Sequence, residues 1–129
     1  MNSLNGSLSH SPKQPKGVPK SLYQEGLKVG RSSNLAYGSD TLYESVIQYM
    51  SDSDSGNIAA VGHRRWILNP GMNQTMFGFL RDGKGRAYSS LYSFDQSRAS
   101  GAIEYDTIGW PSKGYFPSEL LRGSDAWSL

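Results

Sequence analysis

Residues 59–70, which read AAVGHRRWILNP, decide the fold assignment of this chain. Apolar residues flank a polar centre of one histidine and two arginines, and Asn69, Pro70 and Gly71 end the stretch sharply. We interpret this pattern as a short helical turn that leads into a strand. It contains His63, and the only other histidine of the chain is His10.

The segment before this stretch carries the clearest helix pattern. Apolar residues recur at a spacing of four from Leu42 to Met50 and would form one stripe along a helix. Thr41 and Glu44 make a T-x-x-E capping box, which favours a structural role for Glu44 over a role as a cleft carboxylate. A helix is therefore predicted over residues 41–52.

Weaker patterns predict the secondary structure of other segments between residues 8 and 94. Residues 8–20 hold three prolines and are predicted to be loop, and residues 21–29 are predicted to form a short helix that ends at Gly30. Residues 75–80 and 87–94 are rich in aromatic and β-preferring side chains, and the DGKG between them is typical of a hairpin turn. These two runs should pair antiparallel.

The ends of the chain carry less information. Residues 95–106 are polar, and residues 110–117 alternate aromatics with turn residues, as in a packed loop. Residues 1–7 resemble a boundary segment without a folding instruction, so we expect a single domain over residues 8–129. Because the closing AWSL is apolar and has no stop signal, we expect a fragment of a longer surface protein.

Composition narrows the function class. The net charge is +2 over 129 residues, so no strong electric field is directed at nucleic acid. There is no cysteine, which excludes a disulfide framework, Cys-ligated zinc and a Cys nucleophile. No apolar run approaches the roughly 20 residues of a membrane span. No signal-peptide pattern is present either, so a signal for export would have to lie upstream of Met1.

Four segments, in this order, resemble the core of the CAP superfamily, in particular its bacterial branch with an SCP-like domain. The superfamily contains cysteine-rich secretory proteins, antigen 5 and pathogenesis-related proteins. The segments are Ser9-His10, NLAYG at 34–38, ESVIQYMSDSD at 44–54 and GHRRWILNP at 62–70. The resemblance implies an α+β fold, an α-β-α sandwich with a central antiparallel sheet, here lacking the family's N-terminal helix. An uncovered sheet face would then favour homo-oligomers.

The resemblance also implies a cleft lined by two histidines and two acidic residues. The histidines match His10 and His63, and one acid matches Asp52. Ser33 stands where the family has its second acid, and a hydroxyl is a poor substitute for a charged base or metal ligand. We therefore expect no activity that depends on all four groups. Asp52 is either the cleft acid or a solvated residue of the polar run SDSDS, in which Asp54 could do the same.

His10 and His63 together could hold a divalent metal such as zinc through imidazole nitrogens. Zinc usually takes four ligands and these histidines supply only two, so weak and exchangeable binding is expected. The alternative is that His63 bridges the turn at Gly62 while His10 lies in a solvated loop.

Other patterns are assigned structural roles. Ser33 as a nucleophile lacks an identifiable acid and oxyanion donors, and Asn34 is expected to tie down the turn near it. Lys84 between two glycines is predicted to lie in the hairpin turn. Four aromatic residues could form a platform for carbohydrate or could be core, and core is the favoured interpretation: Tyr37, Trp66, Trp110 and Trp127.

The function hypothesis is an exported CAP/SCP-like domain of a bacterium that acts at the cell surface as a non-enzymatic binding or interaction module. Its partner would be a protein, cell-wall material or a small apolar ligand. The alternative is a metal-assisted, peptidase-like hydrolase acting on protein or cell-wall material, in which Asp52 helps to deprotonate water. Lipid or sterol binding is a third hypothesis, for which the sequence locates no groove.

Overall fold

The computed structural model describes residues 1–99 and 105–129. Residues 100–104, part of the polar run of residues 95–106, lie outside the described residues. The elements in chain order are the helices and strands α1 Asn2–Asn5, α2 Lys20–Arg31, β1 Ser33–Tyr37, α3 Leu42–Ser51, α4 Gly62–Ile67, β2 Phe77–Arg81 and β3 Ala87–Tyr92, followed by a short 3-10 turn, Ser118–Leu120.

A three-stranded antiparallel sheet in the order β1-β3-β2 forms the centre of the fold. The predicted hairpin between β2 and β3 is confirmed. Asp82 holds its turn by accepting hydrogen bonds from the backbone N–H groups of Lys84 and Arg86, each at 2.9 Å. Gly85 adopts a positive φ of 77°, which a residue without Cβ does readily.

Helices cover both faces of the sheet, as an α-β-α sandwich requires. Tyr49 of α3 packs with Ala36 and Leu91, whose side chains point to one face. Helix α2 packs on β1 and β3 from the opposite face. Residues of α2 and of that face line a shared cavity, among them Leu22, Val29, Leu35 and Tyr88. The α+β fold is thus confirmed.

Helix α3 follows the sequence prediction closely. Thr41 Oγ1 accepts from the N–H of Glu44 at 3.1 Å, and the Glu44 carboxylate accepts from the N–H of Thr41 at 3.0 Å, so the capping box is confirmed. The helix ends at Ser51. Asp52 then takes the left-handed conformation with φ of 48°. This reversal turns the Asp52 side chain towards α4.

Two local predictions were wrong. Gly30 does not end α2, which runs on to Arg31 and is capped at Ser32. The strand expected after the helical turn of residues 59–70 is absent, and residues 68–76 form turns and irregular chain. The helical turn itself is confirmed as the helix α4, held by hydrogen bonds from the N–H of Arg65 to the carbonyl of Val61 and from the N–H of Leu68 to the carbonyl of Arg64.

Two elements have no counterpart in the sequence prediction. The strand β1 was not predicted because its sequence, SNLAY at 33–37, has no β-branched residue. It is held as a strand by its five residue pairs with β3. The short helix α1 lies within residues 1–7, where no element is predicted. Asn2 ties it to the next segment, since its side chain accepts from the N–H of Ser9 and donates to the Ser9 carbonyl.

Strand β2 is an edge of the sheet, and all five of its residues are exposed. Large apolar side chains are among them and next to them, with Leu80 58% and Met76 66% exposed. An exposed apolar edge is a favourable place for another chain to pair. Among the residues that the structure describes, no helix has the length and apolar character needed to cross a membrane.

Candidate functional site

A cavity of about 330 Å³ lies between the segment around His10, the strand β1, the end of α3 and the start of α4. Three of the four candidate cleft residues line it, namely His10, Asp52 and His63. Ser33 is not among the residues of its wall. The cavity is therefore built from segments that are far apart in the sequence.

Asp52 and His63 form a hydrogen-bonded pair in this cavity. The His63 Nδ1 lies 2.8 Å from Asp52 Oδ1, and the His63 backbone N–H donates to Asp52 Oδ2 at 2.9 Å. The N–H of Arg64 lies 3.4 Å from the same oxygen. Asp52 is 3% exposed, so the solvated role is not the one that the structure gives it. Its carboxylate satisfies N–H groups at the start of α4 that have no partner within the helix.

The hydrogen bond to Asp52 fixes which ring nitrogen of His63 is available. A carboxylate only accepts, so in the neutral imidazole Nδ1 carries the hydrogen and Nε2 keeps a lone pair. The ring also packs against Tyr49, with centroids 5.8 Å apart. His63 is thus oriented by Tyr49 of α3 and by Asp52, the residue that caps the end of α3.

Asn34 and Tyr49 support the pair from the sheet side. The Asn34 side-chain amide donates to the carbonyl of His63 at 2.9 Å, so it ties down α4 rather than the nearby turn that was predicted. Tyr49 shares a hydrogen bond of 2.9 Å with the Ser89 hydroxyl. Burial raises the pKa of Tyr49 to about 12, against the lowering effect of that bond, so the phenol stays neutral at ordinary pH.

His10 is exposed and forms part of the cavity wall. Its Nδ1 is 2.8 Å from the carbonyl of Gly30. Since a carbonyl oxygen only accepts, Nδ1 again carries the hydrogen and Nε2 keeps a lone pair. In both neutral histidines, Nε2 is therefore the ring nitrogen that keeps a lone pair. The clamp between Asn2 and Ser9 fixes the segment that carries His10.

Ser33 turns away from these groups. Its hydroxyl donates to the carbonyl of Val29 at 2.8 Å, and only 3% of the residue is exposed. The side chain satisfies a carbonyl at the end of α2. The structure therefore brings His10, Asp52 and His63 to one cavity and leaves Ser33 as part of the packing between α2 and β1.

Asp54 also lines the cavity but does not contact His63. Its oxygens accept from the N–H of Gly56 at 3.0 Å and from the side-chain amide of Asn57 at 2.8 Å. The hydrogen bond from Asn57 is the main reason that the pKa of the Asp54 carboxyl is lowered, although its partial desolvation acts in the other direction. Of the two acids left open by the sequence, Asp52 is the one placed against His63.

Residues 2–94 match a family model described as CAP, the cysteine-rich secretory protein family. The chain belongs to this family. The matched range covers most of the chain and includes all four candidate cleft residues. No curated protein and no solved structure matches it.

One residue of this CAP domain that sequence reasoning missed is Arg64, which is fully buried. Its guanidinium donates to the carbonyls of Met50 and Ser51 at 2.5 and 2.7 Å, and to the carbonyl of Ala126 at 2.6 Å. Burial lowers its pKa, and the negative charges of nearby carboxylates oppose that effect. Backbone acceptors leave no trace in a sequence pattern, so only its position beside His63 could have pointed to it.

The four aromatic residues of the CAP domain that were considered as a platform do not stack on one another, and three of them pack against different aromatic neighbours. Trp66 stacks on Phe94 with centroids 4.0 Å apart, and Trp110 meets Phe116 edge-on at 4.7 Å. The interpretation that all four are core was also wrong, since Trp127 is 77% exposed. Tyr37 lies against Tyr88 at 5.1 Å and lines the cavity.

The donor set of the cavity fits a divalent cation only in part. In the described ranges, no group of three or more histidine and acidic side chains is close enough to hold a metal ion. Two imidazole nitrogens with free lone pairs are suitable ligands for zinc, which usually takes four. Water would have to complete the coordination of an ion held by His10 and His63.

Proposed function

We propose that this CAP domain is a non-enzymatic binding or interaction module whose cleft takes a divalent cation such as zinc through His10 and His63. One observation carries the proposal. Each histidine commits its Nδ1 to an acceptor and leaves Nε2 free, and both residues line one cavity. A buried carboxylate behind a ligating imidazole is a recurrent arrangement at metal sites, because it orients the ring and raises its basicity.

The binding is weak and exchangeable. Only two protein ligands are at hand, and His10 is exposed, so the cation keeps water in its remaining positions. Such an ion could be a bridge to a carboxylate or other oxygen of a partner molecule. This fits an interaction module better than a closed structural metal site.

The absence of a second cleft acid supports a non-enzymatic role. Ser33 replaces that acid and directs its hydroxyl to α2. Asp52 accepts from both the ring and the backbone of His63, so neither of its oxygens is free of a donor. A carboxylate engaged in this way is better suited to orienting an imidazole than to deprotonating water.

We further propose that the domain is exported and works at a bacterial cell surface, on a protein or on cell-wall material. The family's description as secretory supports the location, and the motif order of its bacterial branch supports the source. The modest net charge of +2 is consistent with a partner other than nucleic acid.

A metal-assisted hydrolase is the second candidate, because a carboxylate that orients a ligating imidazole is also found at catalytic zinc sites. In that case the bound cation would supply Lewis acidity. His63 would hold its position through Asp52, and His10 would help to bind the ion. Hydrolysis of peptide or ester substrates that is lost in His63→Ala would favour this candidate over the binding module.

Zinc titration by calorimetry tests the proposal, with wild type, His10→Ala, His63→Ala and Gln48→Ala compared. Gln48 lines the same cavity and serves as the control, because its side-chain oxygen is engaged by Ser39. We expect saturable binding that is lost in each histidine variant and kept in the control, together with a melting temperature that zinc raises. Binding that survives both histidine substitutions would overturn the proposal.

A further inference from the structure

A C-terminal segment, residues 122–128 and called the tail below, contacts Ser51 and Arg64. Ser51 precedes Asp52, and Arg64 follows His63. The segment lies outside the range that matches the CAP family model. Its contacts with Ser51 and Arg64 thus link a part of the chain beyond the family core to the cleft.

The first link joins Ser51 to Asp125. The Ser51 hydroxyl donates to Asp125 Oδ1 at 2.5 Å, and Asp125 Oδ2 accepts from the N–H of Arg122 at 3.1 Å. Asp125 is buried, so its carboxylate depends on these donors. The Ser51 hydroxyl, which also lies 2.7 Å from the Ser53 hydroxyl, is therefore bound to the tail one residue before Asp52.

The second link is the guanidinium of Arg64. One of its terminal nitrogens donates to the carbonyl of Ala126 and to the Ser128 hydroxyl, the latter at 3.1 Å. Its other nitrogens donate to the carbonyls of Met50 and Ser51 at the end of α3. One rigid fork of donors thus joins α3, α4 and the tail.

The segment has an anchor of its own on the other side. The N–H of Trp110 donates to the carbonyl of Ser128 at 2.9 Å, and the N–H of Ser128 returns a bond to the carbonyl of Trp110 at 3.0 Å. The guanidinium of Arg64 lies over the Trp110 ring, 5.9 Å from its centroid. The tail is therefore fixed in place by the Trp110–Ser128 bridge and can restrain the residues that it contacts.

Asp52 is a residue whose conformation needs such restraint. Its φ of 48° is in the left-handed region, which a residue with a side chain occupies at a cost and keeps only when its surroundings hold it there. The conformation aims the carboxylate at His63. Both the residue before Asp52 and the residue after His63 are bound to the tail.

We infer that residues 122–128 position the Asp52–His63 pair and thereby set the cation affinity of the cleft. The part of this inference that concerns affinity rests on the proposed function, whereas the positioning of the pair does not. Ser51, Arg64 and Asp125 act through Asp52 and His63 and are positioning residues.

The test compares zinc titrations of wild type, Ser51→Ala, Asp125→Ala and the double variant. Each single substitution should weaken zinc binding about two- to thirtyfold, the range expected when a residue acts on a site without touching the ligand. The double variant should bind no more weakly than the poorer single variant, because both changes break the same hydrogen bond. Ser51→Ala is the milder change and covers the case in which Asp125→Ala fails to fold.

Trp127→Ala is the matched control, since Trp127 lies in the same segment and is largely exposed. Its zinc affinity should equal that of wild type. A variant set that lowers the melting temperature but leaves zinc affinity unchanged would overturn the inference, because that is what a purely structural tail would do.

Nitrogen NMR of the His63 ring separates failure of this inference from failure of the proposed function. In the wild type, Nδ1 should carry the hydrogen in the neutral ring, and in Ser51→Ala and Asp125→Ala the two tautomers should mix. If wild type binds no zinc, the proposed function fails, and the tautomer comparison alone decides whether the tail positions the pair. An unchanged tautomer in both variants overturns the inference.

Discussion

At Asp52, one carboxylate accepts a hydrogen bond from the His63 ring and another from the His63 backbone. The same side chain therefore sets the position of the helix α4 and the tautomer of the imidazole. Local structure and ligand chemistry depend on each other at this residue. Substitutions at single residues can test how far this dependence extends.

Asp52→Asn should lower zinc affinity about ten- to hundredfold, the usual effect of removing the carboxylate behind a ligating histidine. An amide can accept only at its oxygen, so it cannot receive both N–H groups of His63 with both terminal atoms. Asp54→Asn is the matched comparison, because Asp54 lines the same cavity without contacting His63. Calorimetry showing an equal loss in both variants would contradict the assignment of Asp52.

The buried phenol of Tyr49 predicts a loss of stability at alkaline pH. Its pKa rises from 10 to about 12 on folding, so the folded state favours the neutral phenol. The associated stability is fully present below pH 10 and is lost as the pH rises through 12, by about 2 to 3 kcal/mol for a shift of this size.

Urea unfolding of wild type and Tyr49→Phe across this pH range measures that loss. Below pH 10, the phenylalanine variant should be less stable by about 1 kcal/mol, for the lost hydrogen bond. The difference should shrink or reverse towards pH 12, since only the wild type must ionise a buried phenol. A constant difference would show that Tyr49 does not titrate in this way.

The residues of the site were predictable to different degrees. His10 and His63 follow from the order of the motifs, while the choice between Asp52 and Asp54 depends on a left-handed turn that no pattern shows. The placement of Ser33 depends on a strand that local propensity does not predict. Arg64 reaches a carbonyl 62 residues away, a separation at which sequence periodicity carries no information.

At the scale of elements, α3 and the β2–β3 hairpin were predicted because their signals are local. A capping box, a stripe of apolar residues and a turn with glycine each act within a few residues. The helix α4 was predicted as a helical turn, but its exact start depends on Asp52, and the unpredicted strand β1 depends on its pairing with β3. Tertiary contacts override weak propensity at these two elements.

Thr41→Ala tests the local control of α3. Loss of the capping hydroxyl should cost about 1 kcal/mol of unfolding free energy, because the N–H of Glu44 loses its acceptor. Glu44→Gln should cost less, since its side-chain oxygen can still accept from the N–H of Thr41. Chemical denaturation gives both values. Equal stability of wild type and Thr41→Ala would mean that packing alone defines this end of the helix.

At the scale of the whole molecule, the edge strand β2 exposes all five of its residues to solvent. The carbonyl of Met76 accepts from the N–H of Tyr92, and the carbonyl of Arg86 accepts from the N–H of Asp82. Even-numbered residues of this strand therefore bond to β3. Because backbone groups alternate along an antiparallel strand, those of Phe77 and Phe79 point away from β3. Apolar side chains accompany this edge on both faces.

We therefore expect self-association that grows with concentration, measured by sedimentation velocity. Leu80→Lys should reduce it, because a charge on an edge strand opposes pairing with another chain. Tyr43→Lys is the control, since Tyr43 is similarly exposed on α3 outside the sheet. A chain that stays monomeric at all concentrations, or equal effects of both variants, would contradict the role of β2.

The most direct test of the central claim is a long-range proton–nitrogen NMR spectrum of the two imidazoles, recorded at mildly alkaline pH with and without zinc. We predict that Nε2 of both His10 and His63 is unprotonated without zinc, and that both Nε2 signals shift together and saturably when zinc is added. A proton on either Nε2, or a zinc response confined to one ring, would contradict a cleft in which the two histidines bind one cation.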